Sequence, residues 1–339
     1  MKRSIAIILL VIGGLALLLP IFAPKAGFRN KVGDNNNASS SPSEAAQKTP
    51  IVVPDFNADS AFLYTQKQVD FGPRVPGSPA HKACANWLTA QMRHWVDTVR
   101  VQTAKVKVHN GKEVPMYNII ASFNPEASRR ILLCAHWDSR PIADQDTERP
   151  NEPILGANDG ASGVAVLMEV ARQMKAGHTP LGLDIIFFDV EDYGISDVED
   201  SYCLGTQYWA SHLHTPNYKA EYGILLDMVG AADALFLKEQ WSMHFAPSTV
   251  DKIWKTAAEL GYGSYFVNQM TAGSITDDHY YVNKIANIPT IDIIHYTQEG
   301  RFGAYWHTHK DNMSAVSKNT LDAVGTVLLT VLFRETVAT

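Results

Sequence analysis

The stretch that most constrains the fold is LDIIFFDVEDYG at residues 183–194. A short apolar run rich in Ile and Phe ends abruptly in Asp189, Glu191 and Asp192, which predicts a buried strand that delivers acids to its end. In open α/β sheets the carboxyl ends of parallel strands form the crevice in which ligands bind. Two carboxylates there can divide the work, one holding a metal and the other moving a proton. Taken alone, the segment fits equally well an acidic strand-to-helix turn whose carboxylates lie in water.

Composition excludes one class of partner. The chain has 339 residues, 46% of them hydrophobic and 19% charged, which is enough for one large α/β core or two smaller ones. The net charge of −6 is spread without long single-sign runs, so the sequence offers no basic surface for nucleic acid. We therefore expect no nucleic-acid partner.

The N-terminus is typical of an export signal. Lys2 and Arg3 precede an apolar stretch at residues 5–22 that is long enough to cross or nearly cross a bilayer. The small residues that follow lie beside Pro24 and Lys25 and make a poor cleavage site, which favours an uncleaved anchor. We expect residues 1–27 to be this signal or membrane anchor. The protein is then exported and held on the periplasmic side of the cytoplasmic membrane, or secreted if the signal is cleaved.

A polar segment separates the anchor from the rest of the chain. Residues 28–50 are rich in Ser and Asn and nearly free of apolar side chains, which predicts a disordered linker. The globular domain is expected at residues 51–339, so the membrane is contacted only through the N-terminal segment. Hydrophobic periodicity predicts helices at 58–69, 80–95, 250–260 and from 319 onward, strands at 98–108, 114–123, 130–135, 223–229 and 288–294, and a loop carrying Asp277 to His279.

Further acids and a histidine fall at predicted strand ends or turns. His136 follows the strand at 130–135, and Asp227 lies in the apolar run ILLDMVG, where an unpaired acid is costly to bury. Asp159 lies in a Gly-rich turn, where it either caps the following helix or binds a metal. A catalytic zinc needs three protein ligands and one open position, which two carboxylates and a histidine supply. The sequence has no H-E-x-x-H motif, so such a site is discontinuous, and spacing alone does not prove it.

Seven stretches together resemble the zinc aminopeptidase superfamily of the M28 type. In chain order they are FGPRVPGSP, AHWDS, GANDGASGVAVLMEVAR, IIFFDVEDYG, GILLDMVG, DDHYYVNKIANIPTIDII and YWHTHKDN. They are most similar to its animal-type (type II) glutaminyl cyclases, also called glutaminyl-peptide cyclotransferases, from about Phe56 to the C-terminus. The resemblance implies a single α/β domain at residues 51–339 with a central mixed, mostly parallel twisted sheet and helices on both faces.

The same resemblance implies a metal site with one Zn²⁺ per chain. Asp159, Asp192 and His307 match the zinc ligands of the cyclases, and Glu191 matches the acid that shuttles the proton. The second acid of the central pair is Asp192 here, where the animal cyclases have Glu. A shorter side chain requires the metal to lie closer to the strand.

Other residues are assigned around this centre. Asp227 and Asp277 match two acids of the hydrogen-bond network beside Glu191. Trp306 matches the aromatic wall of the substrate pocket, to which we also assign Phe302.

The implied activity converts the N-terminal glutamine of peptides or proteins into pyroglutamate and releases ammonia. The main alternative is an aminopeptidase of the same fold, in which His136 and Asp227 hold a second zinc ion and a bridging water attacks the peptide bond. His136 is therefore expected either to bind this second metal or to take part in hydrogen bonding. A third reading is an inactive receptor domain on a membrane tether, which is disfavoured because none of the matching ligand positions is lost.

Overall fold

The computed structural model describes residues 52–177 and 180–336. The expected signal or anchor at 1–27 and the expected linker at 28–50 lie outside the described residues. Among the helices that are described, none has the length and apolar character needed to span a bilayer.

A mixed sheet of six strands forms the centre of the domain. The strands in chain order are β1 (Thr98–Lys107), β2 (Glu113–Phe123), β3 (Arg130–His136), β4 (Gly182–Phe188), β5 (Gly223–Asp227), β6 (Phe236–Lys238), β7 (Phe266–Met270) and β8 (Thr290–Ile294). The central order is β1-β2-β4-β3-β5-β8, in which β4, β3, β5 and β8 are parallel and β1 and β2 are antiparallel. A separate pair, β6 and β7, is parallel.

The helices connect these strands, and several of them begin at a side-chain cap. They are α1 (Ala58–Val69), α2 (Pro79–Met92), α3 (Ala161–Gly177), α4 (Leu204–Ser211), α5 (Gln240–Phe245), α6 (Pro247–Glu259), α7 (Asp278–Tyr281) and α8 (Lys318–Glu335), with a π-helical turn at Val282–Ala286 and a 3₁₀ turn at Met313–Ala315. Asn57 accepts a hydrogen bond from the amide of Ser60 at the start of α1, and Ser78 caps α2 just before Pro79. A polar cap followed by Pro at the first helical position is a standard helix start.

Side chains alternate between the two faces of the sheet, as the pleat requires. From β3, Ile131 and Leu133 pack in the larger core with residues of α1, α3 and α8. Leu132 and Cys134 point the other way and pack with Trp209 of α4. Both faces are therefore covered, which explains why the central strands are mostly apolar. The predicted fold class, a single α/β domain with a mixed sheet and helices on both faces, is confirmed.

One glycine sets the distance between α3 and the sheet. A Cβ atom on Gly163 would lie 2.3 Å from the carbonyl oxygen of Leu226 in β5 and 3.1 Å from the Cβ atom of Ala135 in β3. Such contacts are too short for any larger residue, so α3 rests directly on the two strands. Its first turn is thereby held against the carboxyl ends of β3 and β5.

Most predicted elements are confirmed, with small shifts at their ends, but the segment after Thr276 differs from the prediction. Asp278 and His279 lie in the helix α7, and Asp277 is its N-cap rather than part of a loop. The helix is only four residues long and has no periodicity that a sequence pattern can show. The strands β6 and β7 were not predicted, because they are short and β7 is largely exposed.

Candidate metal centre and active site

A cavity of about 270 Å³ opens at the carboxyl ends of the parallel strands. Because β3, β4, β5 and β8 run in the same direction, their ends meet at one edge of the sheet. Every residue assigned to the site from the sequence lines this cavity except His136, which lies behind it. The residues in question are Asp159, Glu191, Asp192, Asp227, Asp277, Phe302, Trp306 and His307.

The three acids that follow β4 point in different directions. Asp189 is fully buried away from the cavity, where its carboxylate lies 2.9 and 3.0 Å from Nε2 of His81 and accepts the backbone N–H of Tyr117 at 2.6 Å. Glu191 and Asp192 line the cavity instead. The first acid therefore holds the sheet to α2, and only the other two are available for chemistry.

The backbone of the acid pair is fixed from beneath by Asp138. Its carboxylate accepts the N–H of Glu191 at 3.0 Å and the N–H of Asp192 at 3.3 Å. The preceding residue, Val190, has φ of +54°, in the left-handed region that β-branched residues rarely adopt. This tight turn directs the adjacent side chains of Glu191 and Asp192 into the same cavity. In an extended strand, two adjacent side chains would point to opposite faces of the sheet.

A buried carboxylate also fixes the turn that carries Asp159. Asp311 accepts the N–H of Asn158 at 2.7 Å and the N–H of Asp159 at 3.0 Å. Burial, together with the charge of Asp159, raises the pKa of Asp311 to about 8. The next residue, Gly160, has φ of +95°, and a Cβ atom there would lie 2.6 Å from the carbonyl oxygen of Asp138. The Gly-rich turn is thus required for the close approach of these two loops.

The connector FGPRVPGSP contributes Arg74 to the same region. Its guanidinium is fully buried and donates to the carbonyl oxygens of Trp137 at 2.9 Å, Leu155 at 2.6 Å and Gly156 at 2.7 Å. A single rigid fork therefore joins the segment after β3 to the turn before α3. The motif positions the site without entering the cavity.

His307 lies in the long loop before α8. Its backbone is left-handed, with φ of +54°, and its ring stacks on Trp306 at a centroid distance of 3.7 Å. Nε2 lies 3.4 Å from Oδ1 of Asp192 and 3.9 Å from Oδ2 of Asp159. Burial lowers the pKa of His307, but the charge of Asp192 and a contact with Asp144 outweigh it and raise the pKa to about 9.

These three side chains fit a zinc ion. Each of Asp159, Asp192 and His307 is buried and offers one ligand atom, and the three atoms lie within 4.8 Å of one another. Oδ2 of Asp192 is buried and has no hydrogen-bond partner, as expected for an atom that meets a metal. Two carboxylate oxygens and one imidazole nitrogen are a usual zinc donor set.

His136 joins a second group of possible ligands that shares Asp159. Its Nε2 lies 3.1 Å from Oδ1 of Asp159 and 3.1 Å from Oδ1 of Asp227, and its Nδ1 lies 3.6 Å from Oδ1 of Asp138. Burial lowers the pKa of His136, but these surrounding carboxylates outweigh it and raise the pKa well above the usual value. His136 thus stands between the carboxylates of two neighbouring strand ends, where either a hydrogen-bond role or a metal-binding role fits its position.

On balance the surroundings of Glu191 favour its protonated form, because burial and nearby acids outweigh the charge of His136. Burial, Asp277 and Asp192 together raise the pKa of Glu191 well above that of an ordinary glutamate. Burial and the charge of Asp227 raise the pKa of Asp277 to about 6. Sγ of Cys203 lies 3.3 Å from Oε1 of Glu191. A carboxyl group shifted in this way suits proton transfer near neutral pH.

Aromatic side chains form the outer wall of the cavity. The rings of Phe302 and Trp306 lie 4.6 Å apart, and those of Tyr296 and Phe302 lie 5.1 Å apart. Tyr202 and Tyr296 also line the cavity, although the sequence did not single them out. The wall is apolar, so it limits the access of water to the acids behind it.

Several residues that shape the site were missed by sequence reasoning. They are Arg74, Arg140, Asp144, Cys203 and Asp311. The contacts that bring them to the site span at least 12 residues of sequence, so no helix or strand periodicity marks them. The segment HWDSRPIADQD after β3 offered one weak signal, an unusual density of charged residues at a strand end.

Comparisons with known proteins agree with this geometry. The chain is 26% identical over 282 residues to the glutaminyl-peptide cyclotransferase of Drosophila melanogaster, covering 76% of this chain and 75% of the fly protein. Two crystal structures match with a TM-score of 0.81 and cover 83% of this chain and 99% of the other: a Zn-dependent exopeptidase from Parabacteroides distasonis at 50% identity, and a glutaminyl cyclase from Bacteroides thetaiotaomicron bound to N-acetylhistamine at 47% identity.

A family model matches the greater part of the domain. It is the model of peptidase family M28, and it covers residues 118–332, from the second half of β2 to the last turns of α8. The matched region contains each of the residues assigned to the site. The chain therefore belongs to peptidase family M28.

Proposed function

We propose that this protein is a zinc-dependent glutaminyl-peptide cyclotransferase. Its substrates are peptides or proteins with an N-terminal glutamine, which it converts to pyroglutamate with release of ammonia. The observation that carries the proposal is the convergence in one cavity of a zinc-type trio, a separate protonatable acid and an aromatic wall. The relatives named glutaminyl-peptide cyclotransferase and glutaminyl cyclase support it.

The reaction is an intramolecular aminolysis. The N-terminal amine of the substrate attacks the carbon of its own side-chain amide, so that a new C–N bond closes a five-membered ring. The original amide C–N bond breaks, ammonia leaves, and no water is consumed. Asp159, Asp192 and His307 would hold the zinc ion, which would supply Lewis-acid polarisation of the amide carbonyl.

Glu191 carries the proton between the two nitrogens. Its carboxylate accepts a proton from the attacking amine and returns it to the leaving nitrogen. Both steps need a carboxyl group that changes its protonation state readily, and the raised pKa of Glu191 supports this role. Asp227 and Asp277 stand beside it as further members of the proton-holding network.

The aromatic wall holds the substrate in the reactive geometry. The amine and the amide belong to one residue, so the protein need only fix their relative orientation and exclude water. Phe302 and Trp306 supply an apolar surface at the cavity mouth that suits this task.

The assignment to the animal-type branch stays a prediction. The chain is 24–26% identical to animal enzymes, and 47–49% identical to the glutaminyl cyclases of Bacteroides thetaiotaomicron, Tannerella forsythia and Porphyromonas gingivalis. Asp192, which is shorter than the Glu of the animal cyclases, is one feature that sets this chain apart.

An aminopeptidase activity is the second candidate, and a specific observation favours it. His136, Asp159 and Asp227 form a further group with metal-ligand spacing beside the first trio. One structural relative, from Parabacteroides distasonis, is named as a Zn-dependent exopeptidase. The two activities differ in the number of metal ions and in the products they form.

The metal content is the first prediction. We expect one tightly bound zinc per chain in the domain from residue 51 onward, and loss of this zinc in Asp192→Ala, because that change removes one of three ligands. Elemental analysis after dialysis measures the ratio, and Asp197→Ala, which removes an exposed acid five residues away, serves as control. Unchanged zinc in Asp192→Ala would show the ligand assignment to be wrong.

The role of Glu191 is the second prediction. Glu191→Gln keeps the size of the side chain but cannot accept a proton, so we expect zinc to be retained and kcat to fall by roughly 10²- to 10⁴-fold. Glu199→Gln, at an exposed position, should leave both unchanged. If Glu191→Gln lost its zinc together with its activity, Glu191 would have to be reassigned as a ligand.

The third prediction separates the two activities. A peptide beginning Gln-Phe-Ala should release ammonia and keep every peptide bond, whereas a peptide beginning Leu-Phe-Ala should be unchanged, because it cannot form the ring. Mass spectrometry of both mixtures, with zinc supplied, distinguishes the products. Release of free leucine from the second peptide would favour the aminopeptidase and would assign His136 and Asp227 to a second metal.

The fourth prediction concerns location. We propose that the N-terminal segment exports the domain and holds it on the periplasmic side of the cytoplasmic membrane. Protease added to spheroplasts should then degrade the full-length protein, while a cytosolic marker survives. Protection of the full-length protein in the cytosol under these conditions would contradict the proposal.

A further inference from the structure

Arg140 connects one member of the metal trio (Asp159, Asp192 and His307) to an acid beside a second member. It bonds to Asp192 and to Asp144, which lies next to His307. Its side chain is almost fully buried, and its Nη1 donates to Oδ1 of Asp192 at 2.9 Å and to the carbonyl oxygen of the same residue at 3.2 Å. Its Nε and Nη2 donate to the two carboxylate oxygens of Asp144 at 2.6 and 3.1 Å. One guanidinium thus serves two carboxylates, which its planar fork is suited to do.

These contacts give the two oxygens of Asp192 different surroundings. Oδ1 is occupied by Arg140, whereas Oδ2 is buried and has no hydrogen-bond partner. A buried carboxylate oxygen without a partner is costly unless a cation meets it. Arg140 therefore sets the rotation of the Asp192 side chain, with Oδ1 also 3.4 Å from Nε2 of His307 and Oδ2 left without a partner for a metal to meet.

Asp144 approaches His307 from the side opposite to Asp192. Its Oδ1 lies 3.0 Å from Nδ1 of His307, although the ring N–H is not well aligned for a hydrogen bond. The next residue, Gln145, donates its backbone N–H to the carbonyl oxygen of His307 at 3.2 Å. The segment after Arg140 thus contacts both the ring and the backbone of His307.

We propose that Arg140 and Asp144 are positioning residues for the metal centre. Together they form a closed chain of contacts, from Asp192 through Arg140 and Asp144 to His307, which holds two ligands at a fixed separation. The proposal rests on the proposed function only in that Asp159, Asp192 and His307 bind zinc.

The charges of the pair explain why both members are needed. Arg140 alone would place a positive charge beside a cation site and weaken metal binding. Asp144 neutralises that charge and, at the outer nitrogen of His307, supplies the carboxylate partner that orients metal-binding histidines in many proteins.

The chain provides a matched control in the same segment. Oδ2 of Asp146 lies 2.9 Å from Nδ1 of His309 and also accepts the backbone N–H of His309 at 3.0 Å. This second Asp–His pair braces the same two loops but does not touch the metal trio. If both pairs only stabilised the loops, a substitution at Asp144 and one at Asp146 would change zinc affinity by the same amount.

The test compares zinc affinity by chelator competition in the full domain. We expect Asp144→Asn to bind zinc about 10- to 100-fold more weakly than the unmodified protein, and Asp146→Asn to bind it equally well. The double variant Arg140→Met/Asp144→Asn keeps the net charge of the site and should remain as weak as Asp144→Asn, because positioning is still lost. The visible spectrum of the Co²⁺-loaded protein, which depends on ligand geometry, should change in Asp144→Asn and not in Asp146→Asn.

The outcomes distinguish this inference from the proposed function. An affinity of Asp144→Asn within about threefold of the unmodified protein would overturn the inference, and so would equal losses at both aspartates or full recovery in the double variant. Asp144→Ser replaces Asp144→Asn if the latter does not fold by circular dichroism. If the unmodified protein held no zinc, or Asp192→Ala held it as tightly, the proposed function would fail instead.

Discussion

Repulsion between buried carboxylates is the constraint on which this end of the molecule depends. Five acids line one cavity at the ends of parallel strands: Asp159, Glu191, Asp192, Asp227 and Asp277. The low dielectric there strengthens the repulsion between their charges. Such a group is stable only if some members hold protons and others meet cations. The structure supplies both conditions: the pKa of Glu191 is raised, and His136, His307 and Arg140 stand among the remaining acids. The proposed proton-transfer group and the proposed metal ligands thus arise from the same crowding.

The geometry of the acids is imposed by the backbone beneath them. Asp138 and Asp311 each accept two adjacent backbone N–H groups, and Arg74 donates to three carbonyl groups of the neighbouring loops. The bonds from Arg74 are charge-assisted, and all of these bonds are buried or partly buried, so they leave the loops little freedom. The side chains of the site are therefore held before any substrate enters, as electrostatic preorganisation requires.

The sequence predicted strands, turns and helices that depend on a few neighbouring residues. It did not predict the residues whose roles depend on partners far away in the sequence. The strand β4, the Gly-rich turn of Asp159 and the helix α8 follow from periodicity and turn composition, which act over a few residues. Asp189 points away from the cavity and Glu191 points into it because of the turn at Val190. No sequence pattern predicts the left-handed backbone of that residue. A role for Arg140 and Asp144 could not be predicted, because it depends on contact with the loop of His307, more than 150 residues later in the sequence. The resemblance to a known family supplied the ligand set, because spacing alone left it open.

The left-handed backbone at Val190 has a consequence for how this enzyme fold can change. A β-branched residue with φ of +54° stores strain of roughly 1–3 kcal/mol, and three further non-glycine residues near the cavity, Cys203, Met228 and His307, share the same backbone region. Replacing Val190 by Gly would relax this strain, but it would also remove a fully buried side chain and release the turn that aims Glu191 and Asp192. Relief of backbone strain is therefore a poor route to thermostability at this turn, and substitutions in the sheet and helices far from the cavity are a better one.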